Sequence, residues 1–328
     1  MKKEEKEREK EKKEREKEIE NLEDLPGIGP ATAEKLREAG FDSLDKIAVA
    51  SPYEIAEIGE ISVEAAKRAI NEAKKSSKFK YETAFEVLKR KMEMKKITTG
   101  SKELDALLGG GISTQEITEF FGKYSSGKSQ IAFQLSVNVQ LPPEKGGLGG
   151  KTLFVDSEGT FSPERINQMA QAVGLDPEQA LKNIFVVKPT NSDNQILIIE
   201  NCEELIKNEN IKLIVIDSLT SHFRADYVGR GALADRQQKL NKHIHTLLRL
   251  AERYNLAVVV TNQVMDNPAI MFGDPTTPIG GHILAHASNS RIYLRRGKDD
   301  KRIARLVDSP SLPEGECVFR VKPEGIRD

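Results

Sequence analysis

The chain has 328 residues, room for one large domain and a small one. Lys and Arg number 50 against 51 Asp and Glu, so a net charge of −1 leaves any nucleic-acid surface to local clustering. No apolar run approaches the ~18 residues of a membrane span, and the first residues lack an apolar targeting core, so no membrane partner is expected. The two cysteines, Cys202 and Cys317, have no metal-ligand spacing and read as reduced, buried side chains.

Residues 1–20 form a charged arm. Nine basic and nine acidic residues leave only Met1 and Ile19 apolar. Such a segment is either a solvated helix held by i,i+4 pairs or a disordered arm, and its mixed charge argues against a nucleic-acid tail. Next, LPGIGPATAEKLREAG (residues 25–40) puts a tight turn before helical periodicity through Ala33, Leu36 and Ala39. A weaker copy follows in IAEIGEISVEAAKRAI (residues 55–70). The two units resemble helix-hairpin-helix DNA-binding modules and define a small all-α domain over residues 21–75. The backbone N–H groups of Gly27 and Gly29 could meet a phosphate at a helix N-terminus, where the dipole favours an anion. The other reading is a packing hairpin that touches no DNA. It suits the second copy better, where Glu57 and Glu60 would repel phosphate. Residues 76–97 read as a linker, Lys- and Ser-rich at first and apolar at Tyr81, Ala84, Phe85 and Leu88.

From Ile117 the pattern becomes α/β. ITEFF, KTLFVDSE, IFVVK, IKLIVIDS and LAVVVTNQ are near-continuous Val, Ile and Leu runs. They read as strands of a mostly parallel sheet, buried on both faces by helices. RIYLRR, RIARLVD and CVFRVK read as antiparallel strands at one edge.

GKYSSGKS, Gly122 to Ser129, matches G-x-x-x-x-G-K-[ST] at every fixed position. It follows a strand and precedes a helix, the context a phosphate cradle requires. The cradle runs through Gly122, Lys123, Tyr124, Ser125, Ser126, Gly127, Lys128, Ser129 and Gln130. Lys128 brings a charge to the β/γ-phosphate oxygens of ATP, and the Ser129 hydroxyl a ligand for Mg²⁺. Asp217, after four apolar residues of a strand, is the second metal anchor. Glu158 lies past another strand, where it can orient and deprotonate an attacking water. Asp156 points the same way if that strand persists. Gln263 ends a strand where its amide can touch a γ-phosphate.

These motifs come together with YETAFEVLKR, TGSKELDALLGGG, VDSEGTFSPERI, IKLIVIDSLTSHFRADYVGRGALADRQQKLNKHI, IGGHILAHA and DSPSLPEGECVFRV. From about Leu25 to Asp328 the sequence resembles the archaeal RadA recombinases, of the RecA-like strand-exchange ATPases. The resemblance implies a RecA-like P-loop ATPase core over residues 98–328, dependence on ATP and Mg²⁺, and self-assembly. Tyr81 and Ala84 stand at the family's Phe-x-x-Ala polymerisation motif, which inserts into the adjacent subunit. Arg165 corresponds to the residue that stacks on the adenine. Residues 223–238 resemble the first DNA-binding loop, with Arg224, Arg230 and Arg236 as phosphate contacts. Residues 264–281 resemble the second, ending in Gly280 and Gly281. His282 and Asp308 resemble elements that approach ATP bound by the neighbouring subunit. Departures are Tyr81 for Phe, Ser162 for Arg, and Lys123, Ser125 and Ser129 within the cradle.

The sequence thus leads to an ATP-dependent strand-exchange recombinase that forms helical filaments or rings and acts on single- and double-stranded DNA. Its expected place is cytoplasmic, at the nucleoid. The alternatives are a filament-loading mediator without strand exchange and a RecA-fold helicase or signalling ATPase.

Overall fold

A computed structural model describes residues 19–76, 82–266, 276–278, 284 and 288–328. Most of the charged arm and Tyr81 lie outside them. The chain divides into two compact units, Met1–Val87 and Leu88–Asp328.

In the smaller unit a 3₁₀ turn, Leu22–Asp24, precedes helices Pro30–Glu38, Leu44–Val49, Pro52–Gly59 and Val63–Ser76. Gly29 caps the first helix and Pro30 fills its first position, where a missing N–H costs nothing. Gly27 takes φ +86°, and a Cβ there would stand 3.3 Å from the Ala65 Cβ. The two hairpins therefore abut. Leu22, Leu25, Ile28, Leu36, Ile47, Ile55 and Ile70 form their shared core. Ala39, expected on the inward face, is exposed because the helix stops at Glu38.

The stretch read as a linker contains regular structure. Helix Ala84–Met92 buries none of its residues. Strand β1 (Lys96–Ile97) pairs antiparallel with β2 (Ile112–Ser113).

The larger unit is built on a nine-stranded sheet. Its strands are β3 (Ile117–Gly122), β4 (Lys151–Asp156), β5 (Ile184–Val187), β6 (Ile211–Asp217) and β7 (Ala257–Asn262). A small ribbon of β8 (Val264–Asp266) and β9 (Thr276–Pro278) stands apart from it. The sheet continues with β10 (Ser290–Arg296), β11 (Lys301–Asp308), β12 (Gly315–Lys322) and β13 (Gly325–Arg327). The order is β13-β12-β11-β10-β3-β7-β6-β4-β5. RIYLRR is not simply part of an antiparallel edge. As β10 it pairs parallel with β3 and antiparallel with β11, joining the two halves of the sheet.

Alternation along β6 explains the unbroken apolar run. Leu213 and Val215 enter one core with Phe120, Phe154 and Val259, while Ile214 and Ile216 enter the other with Ile117, Val155 and Val258. Helix Lys128–Asn138 packs in the first core. Helix Leu233–Tyr254 contributes Leu240, Ile244 and Leu247 to the second. The C-terminal ends of β3, β4, β6 and β7 consequently share one rim, where an open parallel sheet presents its ligand site. Cys202 and Cys317 are both buried and free, as expected.

Candidate functional site

The phosphate cradle starts where β3 ends. At Gly122 a Cβ would collide with the Leu294 carbonyl and lie 2.9 Å from the Ser126 hydroxyl, so only glycine passes. The loop reverses through Ser125 (φ +60°) and Gly127 (φ +106°), and Lys128 opens the helix. Its first amides thus face the rim without intrahelical partners. Lys128 Nζ donates to the carbonyl oxygens of Gly122 at 2.9 Å and Lys123 at 3.0 Å, which folds the side chain back over the loop. Burial pushes its pKa down, against the pull of Asp217 and Glu158. The resulting cavity, about 570 Å³, is lined by residues Tyr124 to Gln130 together with Glu158, Arg165, Asp217 and Gln263. That volume lies within the range of small-molecule sites.

Asp217 ends β6 at 2 % exposure. Its Oδ1 accepts a hydrogen bond from Thr261 Oγ1, and its Oδ2 is buried with no partner. Burial pushes this carboxyl up, while the Ser129 and Thr261 hydroxyls pull it down. A buried carboxylate oxygen without a partner, beside a serine hydroxyl, is an oxygen-only donor set that fits Mg²⁺.

Glu158 does not continue the alternation of β4. The strand stops at Asp156, whose carboxylate accepts the amides of Thr160 at 3.0 Å and Phe161 at 3.1 Å and so holds the turn. Asp156 is a turn anchor, and the condition under which it would point with Glu158 is not met. The amides of Ser157 and Glu158 instead donate to the Asp217 carbonyl, at 2.8 and 3.2 Å. At the end of this tether Glu158 Oε1 accepts from Ser218 Oγ at 2.6 Å and Gln263 Nε2 at 3.0 Å. The carboxylate and amide proposed from separate strand ends therefore meet.

Arg165 lines the same cavity but is held by a different set of groups. It donates to Gln130 Oε1 at 2.7 Å, Gln168 Oε1 at 2.8 Å and the Pro323 carbonyl at 2.6 Å, and also to the Lys322 carbonyl. These bonds fix the plane of its guanidinium. Ser162 has a structural role there. Its hydroxyl accepts the Arg165 amide at 3.2 Å and caps helix Pro163–Val173.

The segment that resembles a first DNA-binding loop departs from the expected loop. Residues 223–238 lie in helices Ser221–Asp226 and Leu233–Tyr254 and a 3₁₀ turn, Arg230–Ala232, with only 227–229 between. Two contacts explain the order. Phe223 is buried beside the His243 ring, with centroids 5.9 Å apart. The Asp226 carboxylate accepts Ser192 N at 2.7 Å and Ser192 Oγ at 2.6 Å. Arg224 is exposed and Arg236 half-buried. Gly27 and Gly29 are exposed on the small unit, and Ala84 is exposed at the start of its helix.

Asp308 is not among the residues that line the cavity. It is exposed and pairs in register with Arg291, at the rim opposite the cradle. Gly280, Gly281 and His282 lie outside the described residues. Sequence reasoning missed Ser218, Thr261 and Arg302. Ser218 and Thr261 had a signal, since Ser218 follows Asp217 and Thr261 stands two residues before Gln263. Arg302 had none, since RIARLVD carried only strand information.

Together these features define a P-loop nucleotide-binding core of RecA-like architecture, preceded by a tandem helix-hairpin-helix unit. The family described as Rad51 matches residues 89–328, and the SAM-like helix-hairpin-helix tandem matches residues 19–75. The chain is 53 % identical over 310 residues to the DNA repair and recombination protein RadA of Aeropyrum pernix, covering 94 % of this chain and 97 % of that one. It is 52 % identical over 311 residues to the protein of the same name from Metallosphaera sedula, covering 94 % and 96 %. The chain belongs to the Rad51 family.

Proposed function

We propose that this protein is an ATP-dependent DNA strand-exchange recombinase that assembles on single-stranded DNA and hydrolyses ATP to ADP and phosphate. The observation that carries the ATPase reading is the meeting of Glu158 and Gln263 over the cradle, beside a buried Asp217 oxygen without a partner. Relatives named for DNA repair and recombination support the role in recombination.

In this reading the amides of the loop and of Lys128–Gln130 bind the phosphates, and the Lys128 ammonium offsets their charge. Asp217 and Ser129 hold Mg²⁺, which neutralises charge on the phosphate oxygens when bound. Glu158 accepts the proton of the attacking water, with its carboxylate fixed by Ser218. Gln263 leads from that carboxylate directly into β8 and the second DNA segment, so its amide senses nucleotide state and transmits it to DNA affinity. Arg165 offers its plane to the adenine. Arg224, Arg230 and Arg236 meet DNA phosphates, as do Gly27 and Gly29 of the small unit, and binding ignores base sequence. Tyr81 and Ala84 join neighbouring subunits, and His282 and Asp308 complete the neighbour's ATP site. The place of action is the cytoplasm, at the nucleoid. Among the described residues no helix is long and apolar enough to cross a membrane. Lys128, Glu158, Asp217 and Gln263 in one cavity favour a catalytic recombinase over a filament-loading mediator.

The test is ATP hydrolysis with and without single-stranded DNA. The reading expects slow basal turnover and stimulation by DNA. Equal turnover in both conditions contradicts it.

A further inference from the structure

Two arginines line the cavity, and their hydrogen bonding differs. Arg165 is committed, with every guanidinium nitrogen donating to Gln130, Gln168, Lys322 or Pro323. Arg302, on β11, is not. Among the described residues its guanidinium donates only from Nη1, to the Lys301 carbonyl at 2.8 Å and the Asp299 carbonyl at 3.5 Å. Its Nε is buried with no partner. The nearby Asp300 carboxylate is taken by Arg320 at 2.9 Å, and Arg296 adds a like charge. A partly buried cation with a buried donor left unpaired, whose carboxylate neighbour Asp300 is already held by Arg320, is unfavourable in isolation, so its presence calls for a reason.

The location supplies one. Arg302 Cγ lies 3.5 Å from where a Cβ of Gly127 would stand, and Val321 Cγ2 lies 3.7 Å from it. Gly127 caps the helix whose first amides form the cradle. The cavity has two ends. Asp217, Glu158, Ser218 and Gln263 form the end where water attack and metal binding belong. Arg165 and Val321 form the end left for the nucleoside. Arg302 stands beside Gly127 and Val321. A triphosphate laid along the cavity with its γ-phosphate at Glu158 brings its α-phosphate to the stretch between Gly127 and Arg165.

We infer that Arg302 is a nucleotide-binding residue whose guanidinium neutralises the α-phosphate, distinct from the Lys128 charge at the β/γ oxygens. This rests on the ATP reading of the cradle. Guanidinium suits a phosphate because its planar donors can bond two oxygens together. The α-phosphate is common to ATP and ADP, so Arg302 sets affinity for both and does not report on the γ-phosphate.

The experiment is calorimetric titration of the full-length protein with ADP and with a non-hydrolysable ATP analogue, each with Mg²⁺. Arg302→Gln should weaken both ligands by the same factor, roughly tenfold for a lost charge-assisted bond, and leave their ratio unchanged. Arg302→Lys keeps the charge and should recover part of the loss. The melting temperature without nucleotide should match the parent for both variants. Unchanged affinity in Arg302→Gln, or a loss confined to the ATP analogue, overturns the inference. Equal losses in both variants with a lowered melting temperature also overturn it, since they mark a packing role. Lys128→Ala separates the two levels. If it weakens binding while Arg302→Gln does not, only the Arg302 assignment fails. If neither does, the cradle reading fails.

Discussion

Replacing Glu158 by Gln isolates the proton-accepting role from everything else the residue does. Both hydrogen bonds it receives, from Ser218 Oγ at 2.6 Å and Gln263 Nε2 at 3.0 Å, fall on the same oxygen, Oε1. A glutamine can therefore keep its amide oxygen toward both donors and turn its amide nitrogen away. The tether to the Asp217 carbonyl uses backbone amides and is untouched. What disappears is the basic carboxylate. General-base catalysis contributes on the order of 10²–10⁴ in rate, so kcat for ATP should fall by that factor while nucleotide and DNA affinities stay near those of the parent. Single-turnover hydrolysis with saturating single-stranded DNA reads the chemical step, and equilibrium titration reads the affinities. Parental turnover in Glu158→Gln refutes the assignment. A large loss of nucleotide affinity would also refute the reasoning, because it would make Glu158 a ligand for the nucleotide rather than a base.

Lys128→Ala should weaken nucleotide binding at least about tenfold, read by calorimetry, because a charge-assisted contact to phosphate is removed. Arg291→Ala should destabilise the larger unit by about 3–5 kcal/mol in denaturant unfolding, because it leaves Glu119, whose side chain is 0 % exposed, with the Asn262 amide and without the opposite charge at 2.7 Å. A loss below about 1 kcal/mol would show that the pair is not a buried ion pair in solution. Burial drives the His243 pKa down to about 4 from 6.5. The unfolded chain then binds more protons between those values, so stability falls as pH drops through that window, by about 2 kcal/mol from pH 7 to 5. His243→Gln should flatten that slope in pH-dependent melting. Tyr81→Ala with Ala84→Glu should yield monomers that still bind ATP but hydrolyse it poorly with DNA, by light scattering and ATPase assay. Truncated anchors of this kind cost on the order of 2 kcal/mol.

The parts of the site that follow from local chain geometry were legible in the sequence. Gly122 and Gly127 had to be glycine at the ends of the loop, and Asp217 and Gln263 stood at the ends of buried apolar runs. Parallel strands then bring those ends to one rim, whatever the intervening helices do. What was not legible depends on contacts between distant segments. Residues 223–238 are read as a loop through the resemblance to the first DNA-binding loop, not from their own periodicity. Burial of Phe223 and capture of Asp226 by Ser192 favour helix, and Ser192 is 34 residues away. KTLFVDSE allows the strand at Lys151–Asp156 to run on to Glu158, and only the capture of two backbone amides by Asp156 ends it. RIYLRR carries the same alternation whether its neighbour is parallel or antiparallel, so only the topology reveals its double pairing. Arg302 was invisible for a similar reason. A charged residue on a half-exposed strand is ordinary until the cavity beside it is seen.

The central claim is that nucleotide at this cradle switches assembly on DNA. Electron microscopy of the protein with single-stranded DNA tests it directly, in three samples: no nucleotide, ADP, and a non-hydrolysable ATP analogue with Mg²⁺. The account predicts long, regular filaments with the ATP analogue and short or no filaments in the other two. Filaments of equal length and order in all three samples would contradict it.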